Sequence, residues 1–405
     1  MSNICNNNSS GTGKGCRIGL FCAATILFWF SMYTYVPFLT PYVESLGATY
    51  KMAGIIAGSY GFTQMLLRVP VGIMSDRFGK RRIFITFGMF FSIFSSLGLL
   101  LSRDTGIILI FRGLAGAAAA TWVDFTILFS SYYKKEEASK AIGTISFFSA
   151  VGQMAGMYGG SLIAEKVGEN GAFAAGLAAA IAGLALSFFL IEKVETDSAR
   201  ISFRGILEVA SDKMLITVSV IAILSQILTF ATAMGFTPVY AEKVLGAGRY
   251  QLGILTVLST LPAAFASLFA GRYLAGKIGE RAVIVTGFLL GGVFTIAVPF
   301  SGSIGMLAVM QVMSGLGRGL SFTLLMSLSI KHMPLNKRAT AMGFFQSIYG
   351  LGMFAGPVIM GILGDIAGLS QSFVILGTAG LAAAVYAYFV INRGIKAGTA
   401  EGKLQ

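Results

Sequence analysis

Apolar residues along this chain run together in long stretches, broken by short charged or turn-forming segments, rather than alternating with polar residues at a helical or strand period. Crossing the hydrocarbon core of a bilayer takes about 20 such residues in helical form. Stretches of that kind occupy residues 19–45, 52–75, 83–101, 106–131, 138–164 and 171–191, then 214–240, 250–275, 282–300, 304–330, 339–363 and 372–391. The pattern predicts an all-α membrane protein of twelve transmembrane helices, arranged as two six-helix repeats around a central cavity. Residues 19–191 form the first bundle and 214–392 the second. Residues 1–18 read as a disordered tail, 192–213 as a central loop too charged to insert, and 393–405 as a second tail.

The two halves are similar at an offset of about 200 residues, the internal symmetry of two bundles derived from one. Leu46, Gly47 and Ala48 followed by Gly54 and Ile55 match Leu245, Gly246 and Ala247 followed by Gly253 and Ile254. Gly143, Gly152 and Gly156 likewise match Gly343, Gly352 and Gly356.

Composition then excludes a soluble protein. Of 405 residues, 55% are hydrophobic and 12% charged, and the mean hydropathy is +0.79. The net charge of +13 invites a nucleic-acid reading, but the basic residues sit in short loops rather than on one water-facing patch, so no nucleic-acid partner is expected. Cys5, Cys16 and Cys22 have no metal-ligand spacing and read as reduced thiols; His332 reads as a loop residue. No phosphate-binding glycine loop is visible. The expected partners are a small-molecule substrate, protons and membrane lipids, with no cofactor, no metal and a monomeric chain.

If both termini are cytoplasmic, 22 Lys and Arg fall on that side and five on the other: Lys51, Arg103, Lys166, Lys243 and Arg249. This asymmetry orients a multi-pass protein in the cytoplasmic membrane. The remaining three, Arg68, Arg112 and Arg318, lie within predicted spans.

Between the second and third spans stand Gly72, Asp76, Arg77, Gly79, Lys80, Arg81 and Arg82. Gly72 permits close helix packing, Gly79 can take the positive φ of a tight turn, and Asp76 among basic residues can act as an ionic latch. This loop resembles the signature loop of the major facilitator superfamily, and the helix count and repeat extend the resemblance along the chain. The resemblance implies that Gly72, Asp76, Arg77, Gly79 and Arg81 lock one conformation. The second-half counterpart runs from Gly271 to Arg281 and holds Gly276 where the first has Asp76, so the second latch is expected to be degraded. Arg112 and Gly116 resemble the family's fourth-helix motif, which implies proton coupling or cavity structure for Arg112. Gly143, Gly152, Gly156 and Gly160 follow the spacing of the antiporter motif, but Met157 stands where that motif has proline. The Gly-Pro pair occurs instead at Gly356 and Pro357. Close packing of a gating helix is the equal structural reading.

A charge within the bilayer costs roughly 2.5–3.5 kcal/mol on insertion scales, so each needs a reason. Apart from Glu44, at the very end of the first span, Asp124 is the only acid in a predicted span. A lone carboxylate can be protonated or ionised according to its neighbours, which makes Asp124 the coupling candidate, with Arg68 as its expected partner at similar depth; a purely structural Asp124–Arg68 pair is the alternative. Arg318 could bind a substrate anion. Trp29, Tyr33, Trp122, Phe230, Phe345 and Tyr349 would suit an amphipathic solute, although membrane aromatics mostly serve packing. The sequence therefore points to a secondary transporter in the drug and metabolite antiporter branch, exporting its solute against protons. The alternatives are proton-coupled uptake of an organic anion and, in another class, a non-transporting receptor or scaffold.

Overall fold

The computed structural model describes residues 11–134, 137–192, 209–331, 333–334 and 337–401. Every regular element among them is helical. α1 begins at Gly11–Tyr33 and continues through a 3-10 turn, Val36–Phe38, into Leu39–Ser45. There follow α2 (Tyr50–Phe78), α3 (Arg81–Leu101), α4 (Thr105–Ala120 and Trp122–Ser130), α5 (Ala138–Val167) and α6 (Glu169–Ser187). The second series is α7 (Lys213–Ala231, a π turn, then Thr237–Leu245), α8 (Arg249–Phe269, a π turn, then Ala275–Ile278), α9 (Glu280–Ala297), α10 (Ile304–Lys331), α11 (Arg338–Ala367) and α12 (Leu369–Glu401).

Local chemistry accounts for the ends and breaks. Asp104 accepts the Ile107 N–H at 2.9 Å and Asp212 that of Leu215 at 2.7 Å, capping α4 and α7. Pro37 and Pro238 each lack an N–H, and the i→i−4 ladder is interrupted beside both, as a 3-10 turn in α1 and a π turn in α7. Gly79 takes φ +62° and turns the chain from α2 into α3.

Among the described residues, nine helical segments are long and apolar enough to cross a membrane. The three other long helices, α2, α5 and α10, have 29, 30 and 28 residues. Two of the three in-span arginines, Arg68 and Arg318, lie on them and lower their apolar character. Large apolar side chains such as Phe87, Leu101, Phe147, Leu268 and Phe389 are exposed, as a lipid-bathed surface requires.

The chain packs as two compact units, Met1–Pro37 with Leu66–Arg200, and Phe38–Met65 with Ile201–Gln405. The borders thus fall within α1 and α2 as well as between Arg200 and Ile201, whereas the sequence expectation placed the division in the central loop alone. In the first unit α5 packs on α1, and α4 and α6 on α3; in the second α11 packs on α7, and α10 and α12 on α9. The same pairing recurs at equivalent places, which is the packing of a duplicated bundle.

Three tail and cysteine expectations are corrected. Helix α1 starts at Gly11, inside the expected tail, and α12 runs on to Glu401; no proline interrupts residues 11–18 or 393–401. Cys16 is disulfide-bonded, while Cys22 is a buried free thiol. Cys5, His332 and most of the central loop lie outside the described residues.

Candidate functional site

The Gly79 turn brings the start of α3 beneath the ends of α2 and α4. Arg81, the first residue of α3, places its guanidinium between two carboxylates: Nη2 pairs with Asp76 of α2, and Nη1 lies 3.2 Å from Oδ1 of Asp124 on α4. Nη1 also donates to the Ser75 hydroxyl at 3.3 Å. Asp124 has no exposed surface, whereas the Asp76 side chain is 27% exposed. Asp124 Oδ2 has no hydrogen-bond partner among the described residues. One cation therefore serves two acids, one of them fully buried and half-satisfied.

The expected Asp124–Arg68 pair is not formed. Arg68 is buried and donates to the Ala119 carbonyl at 3.5 Å, next to the break in α4 at Thr121. Asp124 follows that break by less than one helical turn and faces Arg81, whose long side chain enters from the loop end. Arg77, placed in the latch by the sequence, is exposed, and a Cβ at Gly72 would meet nothing within 4 Å, so close packing is not what fixes that glycine.

Glu192, which the sequence reading passed over, completes the cluster. Its carboxylate accepts the backbone N–H groups of Arg81 and Arg82, satisfying two first-turn donors of α3. Tyr132 donates to the Ile191 carbonyl at 2.7 Å and accepts the Ile191 N–H at 3.2 Å, anchoring the same strand of chain to the end of α4. The only sequence signal for Glu192 was an acid immediately after the sixth span.

Arg112 donates to the Tyr35 hydroxyl at 3.1 Å, with the ring of Tyr35 5.3 Å away, and Tyr35 is 3.2 Å from the Ser95 hydroxyl. Twelve residues separate Arg112 from Asp124, about 18 Å along a helix, so the two belong to different clusters. The aromatic residues divide likewise. Trp29 contacts Tyr33 and Trp122, with ring centroids 5.7 and 5.2 Å away, and Phe345 contacts Tyr349 at 5.4 Å. Phe345 has no exposed surface and is a core residue, which corrects its placement in the cavity; Phe230 joins neither group of rings.

The glycines selected for a gating helix form seams within each unit. A Cβ at Gly152 would lie 2.6 Å from the Ile26 carbonyl oxygen of α1, and one at Gly156 2.7 Å from that of Phe30. In the second unit Gly352 and Gly356 meet Ile223 and Ile227 of α7 in the same way, at 2.3 and 2.6 Å. Pro357 points elsewhere: its carbonyl would be 2.2 Å from a Cβ at Gly54, where the first half of α2 lies against α11. At that end of the second unit Asp365 accepts the Tyr50 and Lys51 N–H groups, both at 3.0 Å, capping α2 from another helix. Lys243 pairs with Glu44 and donates to the Tyr50 hydroxyl at 3.2 Å.

Also in the second unit, Arg318 of α10 borders a cleft among α7, α9 and α10 lined by Ser225, Thr229, Thr232, Thr295, Ser314 and Ser321. Its Nη2 donates to the Ser259 carbonyl of α8 and, at 2.9 Å, to the Ser259 hydroxyl. At the second-half loop Gly279 again turns with positive φ, but Gly276 supplies no acid; Glu280 pairs with Lys331 at 3.0 Å, and Arg281 stacks 4.4 Å over the Tyr388 ring. That loop is built differently from the first.

Comparison with known proteins agrees with this architecture. The family model of the Major Facilitator Superfamily matches residues 21–248 and 218–404. The chain is 26% identical over 379 residues to the MFS-type transporter MJ1560 of Methanocaldococcus jannaschii, covering 88% of this chain and 93% of that protein. It is 24% identical over 334 residues to the proton-coupled antiporter flippase LtaA of Staphylococcus aureus, covering 80% and 82%. Among solved structures, a bacterial homologue of the human lysosomal transporter Spinster, in an inward-facing and unoccupied conformation, superposes with a TM-score of 0.79 at 16% identity, covering 96% of this chain and 99% of that one. With its helical repeats, glycine seams and lipid-exposed surface, and matched by the family model along nearly its whole length, the chain belongs to the major facilitator superfamily and is a multi-pass membrane transporter.

Proposed function

We propose that the protein is a proton-coupled secondary transporter of the cytoplasmic membrane, which exports a small metabolite or drug by alternating access. The observation that carries this reading is the buried Asp124, held through one oxygen by an arginine that it shares with Asp76. While Arg81 holds both acids, the charge of Asp124 is balanced. If the Gly79 turn moves and takes Arg81 away, an uncompensated carboxylate remains in apolar surroundings, and a proton is the simplest group to neutralise it. Movement of the loop and uptake of a proton are thereby linked. The similarity to LtaA, whose name describes a proton-coupled antiporter, supports the same direction of exchange. In this reading Arg81, rather than Arg68, is the resting partner of Asp124; Arg68 and Arg112 hold the bundle interior in shape, and Trp29, Tyr33 and Trp122 offer an aromatic wall to the solute.

The experiment begins by comparing a deletion strain with an overexpressing strain, by metabolite profiling and by resistance to a compound panel, to supply a substrate. Wild type and Asp124→Asn are then reconstituted in proteoliposomes, and proton flux and substrate counterflow are measured on the same preparation. Asp124→Asn is expected to lose pH-gradient-driven transport and to keep exchange, since the amide mimics the protonated carboxyl. Undiminished gradient-driven transport would refute the coupling role.

A further inference from the structure

We propose that Glu192 is a positioning residue for Arg81, and that the segment from Leu190 to Glu192 is a release lever whose place decides whether Arg81 stays between Asp76 and Asp124. The inference deepens the transport reading by naming what governs the same site, and it rests on that reading only for the statement that releasing Arg81 lets Asp124 take up a proton.

Three observations carry it. First, α3 does not cap its own start. The residue before it is Lys80, whose ammonium only donates, and no side-chain cap is made there. Helices α4 and α7 are capped by their own preceding residues, Asp104 and Asp212. For α3 the acceptor comes from 111 residues further along the chain: one Glu192 oxygen takes the Arg81 N–H and, at 3.3 Å, the Arg82 N–H. Second, the residue held in this way is the one that bridges the two acids. Arg81 is the first residue of α3, the place where a helix that loses its cap frays first. One of its nitrogens reaches Asp124 at 3.2 Å while the other pairs with Asp76, and a bridge between acids on two helices has little slack when the base of the side chain moves.

Third, the segment that brings Glu192 is itself built in. It follows α6 as non-helical chain, yet its backbone groups are taken one after another. Arg82 Nη1 donates to the Leu190 carbonyl at 3.3 Å, and the Tyr132 hydroxyl donates to the Ile191 carbonyl at 2.7 Å while accepting the Ile191 N–H at 3.2 Å. The Leu190 side chain is buried. Arg82 lies on α3 and Tyr132 follows α4 by two residues, so the segment is fastened to the same two helices that the Arg81–Asp124 pair joins. A pull on the chain beyond Glu192 falls on these few hydrogen bonds and not on the packed helices, and the Arg81 cap is the bond nearest to it.

The test needs no substrate. Full-length protein in lipid nanodiscs is treated with phenylglyoxal, which modifies accessible guanidinium groups, and separately with dicyclohexylcarbodiimide, which adds to protonated carboxyls in apolar surroundings. Both are read by site-resolved mass spectrometry, with the exposed Arg103 as reference for the first reagent. The Arg81 side chain is 15% exposed and is expected to react slowly in wild type. Glu192→Ala is expected to raise its rate at least about fivefold, and Tyr132→Phe, which frees Ile191, to raise it at least about twofold, as loss of a cap and of a hydrogen-bonded anchor implies. Glu192→Gln, whose amide oxygen still accepts, has a smaller effect in the same direction and stands in if Glu192→Ala fails to fold. Asp212→Ala removes the cap of a helix in the other unit and is expected to leave the Arg81 rate unchanged. An unchanged rate in Glu192→Ala would overturn the positioning role, an unchanged rate in Tyr132→Phe the lever, and an equal rise in Asp212→Ala both, since it would assign the effect to general loosening. Carbodiimide labelling of Asp124 is expected to rise together with the Arg81 rate. Faster Arg81 modification with no label gained at Asp124 leaves the lever standing and counts against proton uptake alone, so the two failures are distinct.

Discussion

Replacing Arg81 by alanine removes one side chain and strands two acids, and the structure sets the size of the effect. Asp124 is fully buried, so losing its cation leaves a charge that a proton must neutralise, and at a pH high enough to keep the carboxylate ionised the change is worth about 3–5 kcal/mol. Asp76 is more than a quarter exposed and adds only about 0.2–1 kcal/mol. Asp124→Asn alone is milder, about 1.5–3 kcal/mol, since Arg81 keeps Asp76 and Ser75. Combining the two substitutions removes the buried charge that made Arg81→Ala severe, so the double variant should be more stable than the sum of the singles by at least about 2 kcal/mol. Unfolding of the purified protein in bicelles, by denaturant titration or steric trapping, measures each corner of this cycle. Additivity within about 0.5 kcal/mol would refute the shared-cation reasoning.

Further predictions follow from the same geometry. Asp76→Asn should leave the protein inserted while slowing transport several-fold, because the latch keeps its shape and loses a charge; transport at the wild-type rate would reduce the loop to a topological anchor. Gly72→Ala should leave expression and transport unchanged, whereas Gly54→Leu, set against the Pro357 carbonyl, should depress folded yield in fluorescence-detected size exclusion. Asp365→Asn should lower stability by about 0.3–1 kcal/mol, an effect that shrinks in high salt, as the dipole interaction at the start of α2 requires.

Much of the fold was legible because lipid imposes a simple rule. An uninterrupted apolar run of sufficient length has few alternatives to a spanning helix, and the predicted spans fall on the observed helices. The signature loop was legible for another reason: Gly79 needs a positive φ and Asp76 needs a cation, and both are properties of single residues. What the sequence could not supply was the partner. Arg68 and Arg81 are both arginines within reach of Asp124 by rise per residue, and the choice between them depends on the break in α4 at Thr121 and on the rotation of α4, which no periodicity encodes. The same limit hid Glu192, whose importance comes from the tertiary position of the α3 N-terminus. It also misplaced Phe345, since an aromatic residue in a span reads the same whether it faces a cavity or a core.

The glycine seams have a consequence for how such a chain can change over generations. At Gly152, Gly156, Gly352 and Gly356 any added carbon collides with a neighbouring backbone, so these positions tolerate almost no variation. The rings around Trp29 press on side chains instead, and side chains can repack. Mutation is thus filtered hard at the joints and lightly at the lining. A lineage built on this chain can drift from one solute to another through substitutions in the lining while inheriting the same frame, and its cargo is expected to diverge sooner than its architecture.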